Sequence, residues 1–213
     1  MKDARILFVE DDPIAGLSVR TWLEHKGAQT IYVETTEAAD AALTGQEFDV
    51  LLSDIHMPGN ENLAWVERVA RQHPALQVVL LTGSPRIDNA IKAANLHVAA
   101  YLVKPPDFSE LETILTTLRD TARARRRGKA CVEALRAALA QGDAGDEAAL
   151  ARNLRELQEL WPLLEADPST RAPMGDLRDA LADAIRVIER TKDSFHSREL
   201  GQLRQRLRRA LGE

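Results

Sequence analysis

The chain has 213 residues, of which 45% are hydrophobic, 29% charged and 4% aromatic, with a formal net charge of −5. No apolar stretch reaches the roughly 20 residues of a membrane span, and the N-terminus lacks a basic region followed by a signal-type apolar core, so a cytoplasmic protein with no membrane partner is expected. Cys131 is the only cysteine, which excludes an internal disulfide and leaves any zinc site to scattered histidines.

The net charge hides an asymmetry. Residues 1–124 carry 11 basic against 18 acidic side chains, a net of −7, whereas residues 125–213 carry 17 against 15, a net of +2. Composition changes at the same place, from β-branched runs mixed with amphipathic segments to a stretch dominated by Ala, Leu, Arg, Glu and Asp. Two domains are predicted, 1–124 and 125–213, joined near the run Thr121-Ala-Arg-Ala-Arg-Arg-Arg-Gly128.

In chain order the first half reads as strand 4–10, helix 13–26, strand 29–33, helix 36–44, strand 49–53 and helix 63–72. Strands at 77–82 and 99–103 follow, each with a helix behind it, at 85–95 and 108–122. Near-continuous apolar runs such as Ile6-Leu-Phe-Val9, Val50-Leu-Leu52 and Val78-Val-Leu-Leu81 are what strands covered on both faces look like. The fold predicted is a doubly wound, flavodoxin-like α/β domain with a five-stranded parallel sheet, followed by an all-α domain.

Ligands of such folds bind beyond the carboxyl ends of the strands, beside the point where strand order reverses. Glu10 and Asp11 end the first apolar run, Asp54 the third, Thr82 the fourth and Lys104 the fifth. Three carboxylates brought together repel and bind protons more tightly unless a cation is present. Mg²⁺, which takes a few carboxylate oxygens, a carbonyl and several waters, suits an open three-acid cup.

Ile6-Leu-Phe-Val-Glu-Asp-Asp12, Leu52-Ser-Asp-Ile-His-Met-Pro-Gly59, Leu81-Thr-Gly83 and Tyr101-Leu-Val-Lys-Pro105, in this order and spacing, resemble the receiver domain of two-component response regulators over residues 3–123. The resemblance implies that Asp54 accepts a phosphoryl group from the phosphohistidine of a sensor histidine kinase or phosphotransfer protein. It implies further that Asp11 and Asp54 are direct Mg²⁺ ligands, that Glu10 acts through a bound water, and that the carbonyl of His56 completes the protein's share. Lys104 and the Thr82 hydroxyl would hold the phosphoryl oxygens, Thr82 and Tyr101 would form the switch pair, and a cis peptide often precedes the residue at Pro105. Asp12 is expected to cap the next helix. Two features set the sequence apart from the usual pattern: Asn62 stands where the family generally has glycine, and is expected to tolerate positive φ and cap the next helix, and His56 lies two residues beyond the acceptor, where side chains tune phosphoryl loss.

The second half shows helical stripes, Leu150-Leu154-Leu157-Trp161-Leu164, Leu177-Leu181-Ala184-Ile188 and Leu200-Leu203-Leu207-Ala210. With Ala130 to Leu139 they predict four helices, at 127–141, 146–165, 174–193 and 196–212; helix 108–122 has the option of running through the arginines into the first, with Gly128 as the weak point. The output expected is a module for an unnamed protein target or for homodimerisation. DNA binding is less favoured, because a net of +2 is small for a phosphate-binding surface and no helix-turn-helix cadence is present. His196 lacks the context of a phosphotransfer bundle, and no catalytic motif follows residue 124, so the protein is not expected to be an enzyme.

Overall fold

Three near-continuous apolar runs form the centre of a five-stranded, all-parallel sheet, in a computed structural model that describes residues 1–96, 98–140, 152, 153, 155–157, 159 and 160. The strands are β1 (Arg5–Val9), β2 (Gln29–Val33), β3 (Val50–Asp54), β4 (Gln77–Thr82) and β5 (Ala100–Val103), in the order β2-β1-β3-β4-β5. The helices are α1 (Pro13–His25), α2 (Thr36–Gly45), α3 (Ala64–Gln72), α4 (Ile87–Asn95) and α5 (Phe108–Ala140), with a short 3₁₀ turn at Glu61–Leu63. Every residue of β3 and β4 is buried, whereas β2 and β5, at the two edges, are partly exposed. That difference explains why the central strands read as unbroken apolar runs.

Alternation along each strand sends side chains to two separate cores. Leu7, Val9, Leu51, Val78 and Leu80 pack with Ala39 and Leu43 of α2, Trp65, Val66 and Val69 of α3 and Ala93 of α4. On the other face Ile6, Phe8, Val50, Leu52, Val79 and Leu81 meet Val19 and Leu23 of α1 and Leu111 and Leu115 of α5. Burying each large side chain contributes about 1.5–3 kcal/mol, so both helix layers are held by the same sheet. The chain leaves β1 for β2 on one side and returns to β3 on the other. The order therefore reverses beside β1 and β3, where Glu10, Asp11 and Asp54 lie.

The chain divides into two compact units, Met1–Arg123 and Ala124–Glu213. Helix 108–122 does continue through the arginines into the predicted 127–141 helix, giving one helix from Phe108 to Ala140. Residues 109–140 contain no proline and are rich in Ala, Leu and Arg, so the single Gly128 does not end the helix. In the second unit Cys131, Val132, Leu157 and Leu160 are buried, and Arg127 pairs with Glu156 at 2.8 Å. Burial and the neighbouring Glu156 push the Cys131 thiol up to about 11, leaving it inert as a nucleophile. Leu157 belongs to the expected stripe; Leu150, Leu154, Trp161 and the predicted helices at 174–193 and 196–212 lie outside the described residues.

In the first unit, α5 is pinned to the opposite end of the sheet. The buried Asp49 carboxylate accepts from the Arg5 amide at 2.9 Å and faces Arg123 Nε at 3.6 Å. Arg123 and Arg119 also donate to the carbonyls of Asp3 and Lys2, at 2.7 and 3.0 Å. Asp49→Ala strands the Arg5 amide and removes the carboxylate facing Arg123 Nε, and should destabilise the protein by about 1–3 kcal/mol, read as a lower urea midpoint at unchanged slope. A change below about 0.5 kcal/mol, as for an ordinary surface substitution, would show that the pin carries no weight.

Candidate functional site

The acidic cup is assembled from three strand tips. Asp54 is the last residue of β3 and is buried, held there by Ile55 N–H donating to the Leu81 carbonyl at 3.0 Å. Glu10 follows β1 and is 1% exposed, its N–H donating to the Val33 carbonyl at 3.1 Å. Asp11 is exposed. Asp12 caps α1, accepting from the amides of Ile14 and Ala15 at 2.8 and 3.3 Å, and Pro13 sits at the first helical position where no N–H is needed. One oxygen from each of Glu10, Asp11 and Asp54 falls within 4.8 Å of the others.

Lys104, after β5, reaches into this cup. Its ammonium donates to Asp54 Oδ2 at 2.5 Å and contacts Glu10 Oε2, while its backbone N–H donates to the Thr82 carbonyl at 2.8 Å. The Lys104-Pro105 peptide is cis. Asp54 Oδ1 accepts from the His56 amide at 2.9 Å, so both oxygens of the acid are engaged. Thr82 is fully buried at the tip of β4, and its hydroxyl accepts from the Ser84 amide at 3.1 Å, which leaves its own proton free to donate. Tyr101 packs against the core with its hydroxyl buried and without a hydrogen-bond partner. The structure thus brings Glu10, Asp11, Asp54 and Lys104 into one cluster with Thr82 and His56 at its rim, and places Tyr101 two residues inside the β5 edge, against the core.

The electrostatics follow from three carboxylates and one ammonium. Burial pushes Glu10 above the ordinary carboxylate range, and the neighbouring Lys104 only partly reverses this. Burial also acts to raise Asp54, but the Lys104 ammonium and the His56 amide outweigh it and hold Asp54 below its usual value. Burial acts to lower Lys104, yet its bonds to Asp54 and then Glu10 hold it above the ordinary lysine value. Neither Glu10 oxygen accepts a well-aligned hydrogen bond. A buried acid with one oxygen on Lys104 and the other without a partner, in an all-oxygen cluster of three carboxylates against one ammonium, fits a hard divalent cation.

Two neighbours were not legible in advance. Asn60, buried, donates from its amide to the Ile55 carbonyl at 3.2 Å and accepts from the Val66 amide at 3.3 Å, bracing the loop behind Asp54. Asn62 does adopt positive φ, 54°, but it does not cap α3; its side chain accepts from Lys92 at 3.1 Å, and Leu63, also at positive φ, precedes the helix. Tyr32 donates from its hydroxyl to the Glu10 carbonyl at 3.0 Å, from an edge strand that showed no site motif.

Fold and cluster together define a doubly wound α/β protein with an acidic, lysine-bridged cup at its switch point. The chain belongs to the response regulator receiver domain family, whose model matches residues 6–116. It is 31% identical over 121 residues to the transcriptional activator protein IrlR of Burkholderia pseudomallei, covering 57% of this chain and 52% of that one. It is 33% identical over 110 residues to the DNA-binding transcriptional regulator NtrC of Salmonella typhimurium, covering 52% and 24%. A receiver domain protein (CheY-like) from Methanospirillum hungatei JF-1 superposes with a TM-score of 0.51 at 26% identity, over 57% of this chain and 98% of that one. The chain spans about half or less of the length of these curated relatives. Receiver domains bind Mg²⁺ at an acidic pocket. No helix among the described residues is long and apolar enough to cross a membrane.

The Lys104 bridge makes a pH prediction. Asp54 is depressed in the folded state, so its contribution is present above the ordinary aspartate value and lost as pH falls through the folded one. Lys104 is raised, so its contribution is present below the ordinary lysine value and lost as pH rises through the folded one. Lys104→Met should therefore raise the Asp54 midpoint in a carboxyl ¹³C NMR titration of metal-free protein. An unmoved Asp54 midpoint would contradict the bridge.

Proposed function

We propose that the protein is a phosphorelay response regulator in which residues 1–124 receive a phosphoryl group on Asp54 and residues 125–213 form the output module. The observation that carries this reading is the Lys104 ammonium 2.5 Å from Asp54 Oδ2, inside a cup of two further acids at the sheet's switch point. Asp11, Asp54 and the His56 carbonyl would hold Mg²⁺ directly and Glu10 through water, and the ion would neutralise charge on the oxygens around the transferring group.

Attack by an Asp54 oxygen forms the new O–P bond while the P–N bond to the donor imidazole breaks, and the bonding electrons leave with that ring. Asp54 does not need deprotonating, because Lys104 and the His56 amide keep it ionised. The product carries about two negative charges and three acceptor oxygens where one carboxylate stood. Lys104 transfers its donors to these oxygens, and the Thr82 hydroxyl, with its proton free, donates to another. Movement of Thr82 toward the site opens room beside Tyr101, whose unpartnered hydroxyl is poised to find a new bond. A full 1:99 to 99:1 switch takes about 5.5 kcal/mol. One charge-assisted bond supplies about 1.5–3 kcal/mol, so several must act together.

For the output, helix α5 continuing to Ala140 and the buried Leu157 and Leu160 support a helical interaction or dimerisation module. DNA binding is the second reading, favoured by relatives named as a transcriptional activator and a DNA-binding regulator. Those matches extend over 57% and 52% of this chain, and the 125–213 segment carries a net of only +2. A gel shift of the full-length protein with random duplex, abolished by salt, would favour the DNA output.

Asp54→Asn should accept no phosphoryl group from a small phosphodonor in the presence of Mg²⁺, whereas wild type forms an acid-stable, alkali-labile adduct detectable by intact-protein mass spectrometry. Equal modification of both proteins would overturn the assignment of Asp54.

A further inference from the structure

We propose that Tyr32 is a positioning residue for the acidic turn, its hydroxyl clamping the Glu10 backbone so that Asp11 is presented to the cation, with Gly16 in α1 leaving the space that the hydroxyl needs. The inference rests on the reading of Glu10, Asp11 and Asp54 as a Mg²⁺ site.

Asp11 is the exposed member of the cup, on a turn between a strand and a helix, where a carboxylate would ordinarily wander. Both sides of it are tied. On the helix side, Asp12 is committed to the amides of Ile14 and Ala15. On the strand side, Glu10 donates its N–H to the Val33 carbonyl at 3.1 Å and accepts at its carbonyl from the Tyr32 hydroxyl at 3.0 Å. That carbonyl belongs to the same planar peptide as the Asp11 N–H, so holding it sets the orientation of the unit from which Asp11 departs. Ligand oxygens held in place before the ion arrives bind it more tightly, because less order has to be imposed on binding.

The second observation is independent and lies in α1. Gly16 is buried inside a helix, where glycine is the poorest choice after proline. A Cβ built on it would stand 2.5 Å from the Tyr32 hydroxyl oxygen and 2.6 and 2.7 Å from two of its ring carbons. Any larger residue would therefore drive the ring tip away from Glu10. Tyr32 has a packing role as well, with its ring centroid 5.6 Å from that of Phe8, and its hydroxyl lies 3.5 Å from Glu34. Tyr32→Phe keeps the ring and removes the clamp together with the longer, exposed contact to Glu34.

The test is Mg²⁺ titration of the full-length protein by calorimetry, with urea midpoints measured on the same samples without metal. Tyr32→Phe and Gly16→Ala are each expected to weaken Mg²⁺ binding by about 10-fold, the scale on which partners behind a metal's ligands act. A merely structural residue would move the midpoint and leave the affinity of the folded protein alone. In a Tyr32→Val background Gly16→Ala is expected to cause no further loss, since the group it displaces is gone. Wild type that binds Mg²⁺ together with a Tyr32→Phe protein of equal affinity would overturn this inference alone. Wild type that binds no Mg²⁺ would overturn the metal site, and the inference with it.

Discussion

The carboxyl edge of this sheet holds three carboxylates against one ammonium, and the rest of the site is arranged around that imbalance. Two like charges about 4 Å apart repel by about 4 kcal/mol at an effective dielectric of 20. Glu10, Asp11 and Asp54, with oxygens inside 4.8 Å, are thus expensive to hold together. Lys104 offsets part of the repulsion by touching Asp54 and Glu10 at once. Glu10 binds its proton more tightly than an ordinary carboxylate, first because it is buried and, to a lesser extent, because Asp54 lies beside it. On the proposed reading a divalent cation would complete the charge, and a phosphoryl group on Asp54 would upset it again and draw Lys104 away from the acids. The proposed switch and the proposed metal preference would both follow from one charge count.

The fold was legible where burial on both faces leaves a continuous apolar run, as in β1, β3 and β4. Once those strands are parallel and the order reverses beside β1, the tips carrying Glu10, Asp11, Asp54 and Thr82 must share an edge. The placing of these residues at strand ends was therefore readable in the sequence, while their roles came from the resemblance. Loop details were not readable. Asn60 and Asn62 are two residues apart and chemically identical, yet one is buried and braces the loop while the other reaches out to Lys92. Only the path of the backbone through the left-handed Asn62 and Leu63 decides between them. Tyr32 escaped notice because its hydroxyl acts across strands from an edge position with no local signature.

Composition changes at the arginine run before Gly128, and the chain divides into its two compact units there, between Arg123 and Ala124, yet the helix is unbroken. Helix formation depends on local propensity and packing rather than on average composition. Ala, Arg and Leu on both sides sustain the helix, and a single glycine is a small penalty against them. Beyond it, Arg127 with Glu156 and the buried Leu157 and Leu160 are the described parts of a second helical unit. Its stripes at 177–188 and 200–210 are known as sequence patterns, which is why the reading of the input is sharper than that of the output.

The central claim is that Lys104 is the temporary counter-ion of a site built for Mg²⁺ and a phosphoryl group. Its most direct test is a crystal structure of the full chain with Mg²⁺ and beryllofluoride, a phosphoryl mimic. The account predicts the mimic on Asp54, the ion on Asp11, Asp54 and the His56 carbonyl, and the Lys104 ammonium moved from Glu10 to a fluoride. A mimic-bound structure in which Lys104 still bridged Glu10 and Asp54, with the ion elsewhere, would contradict it.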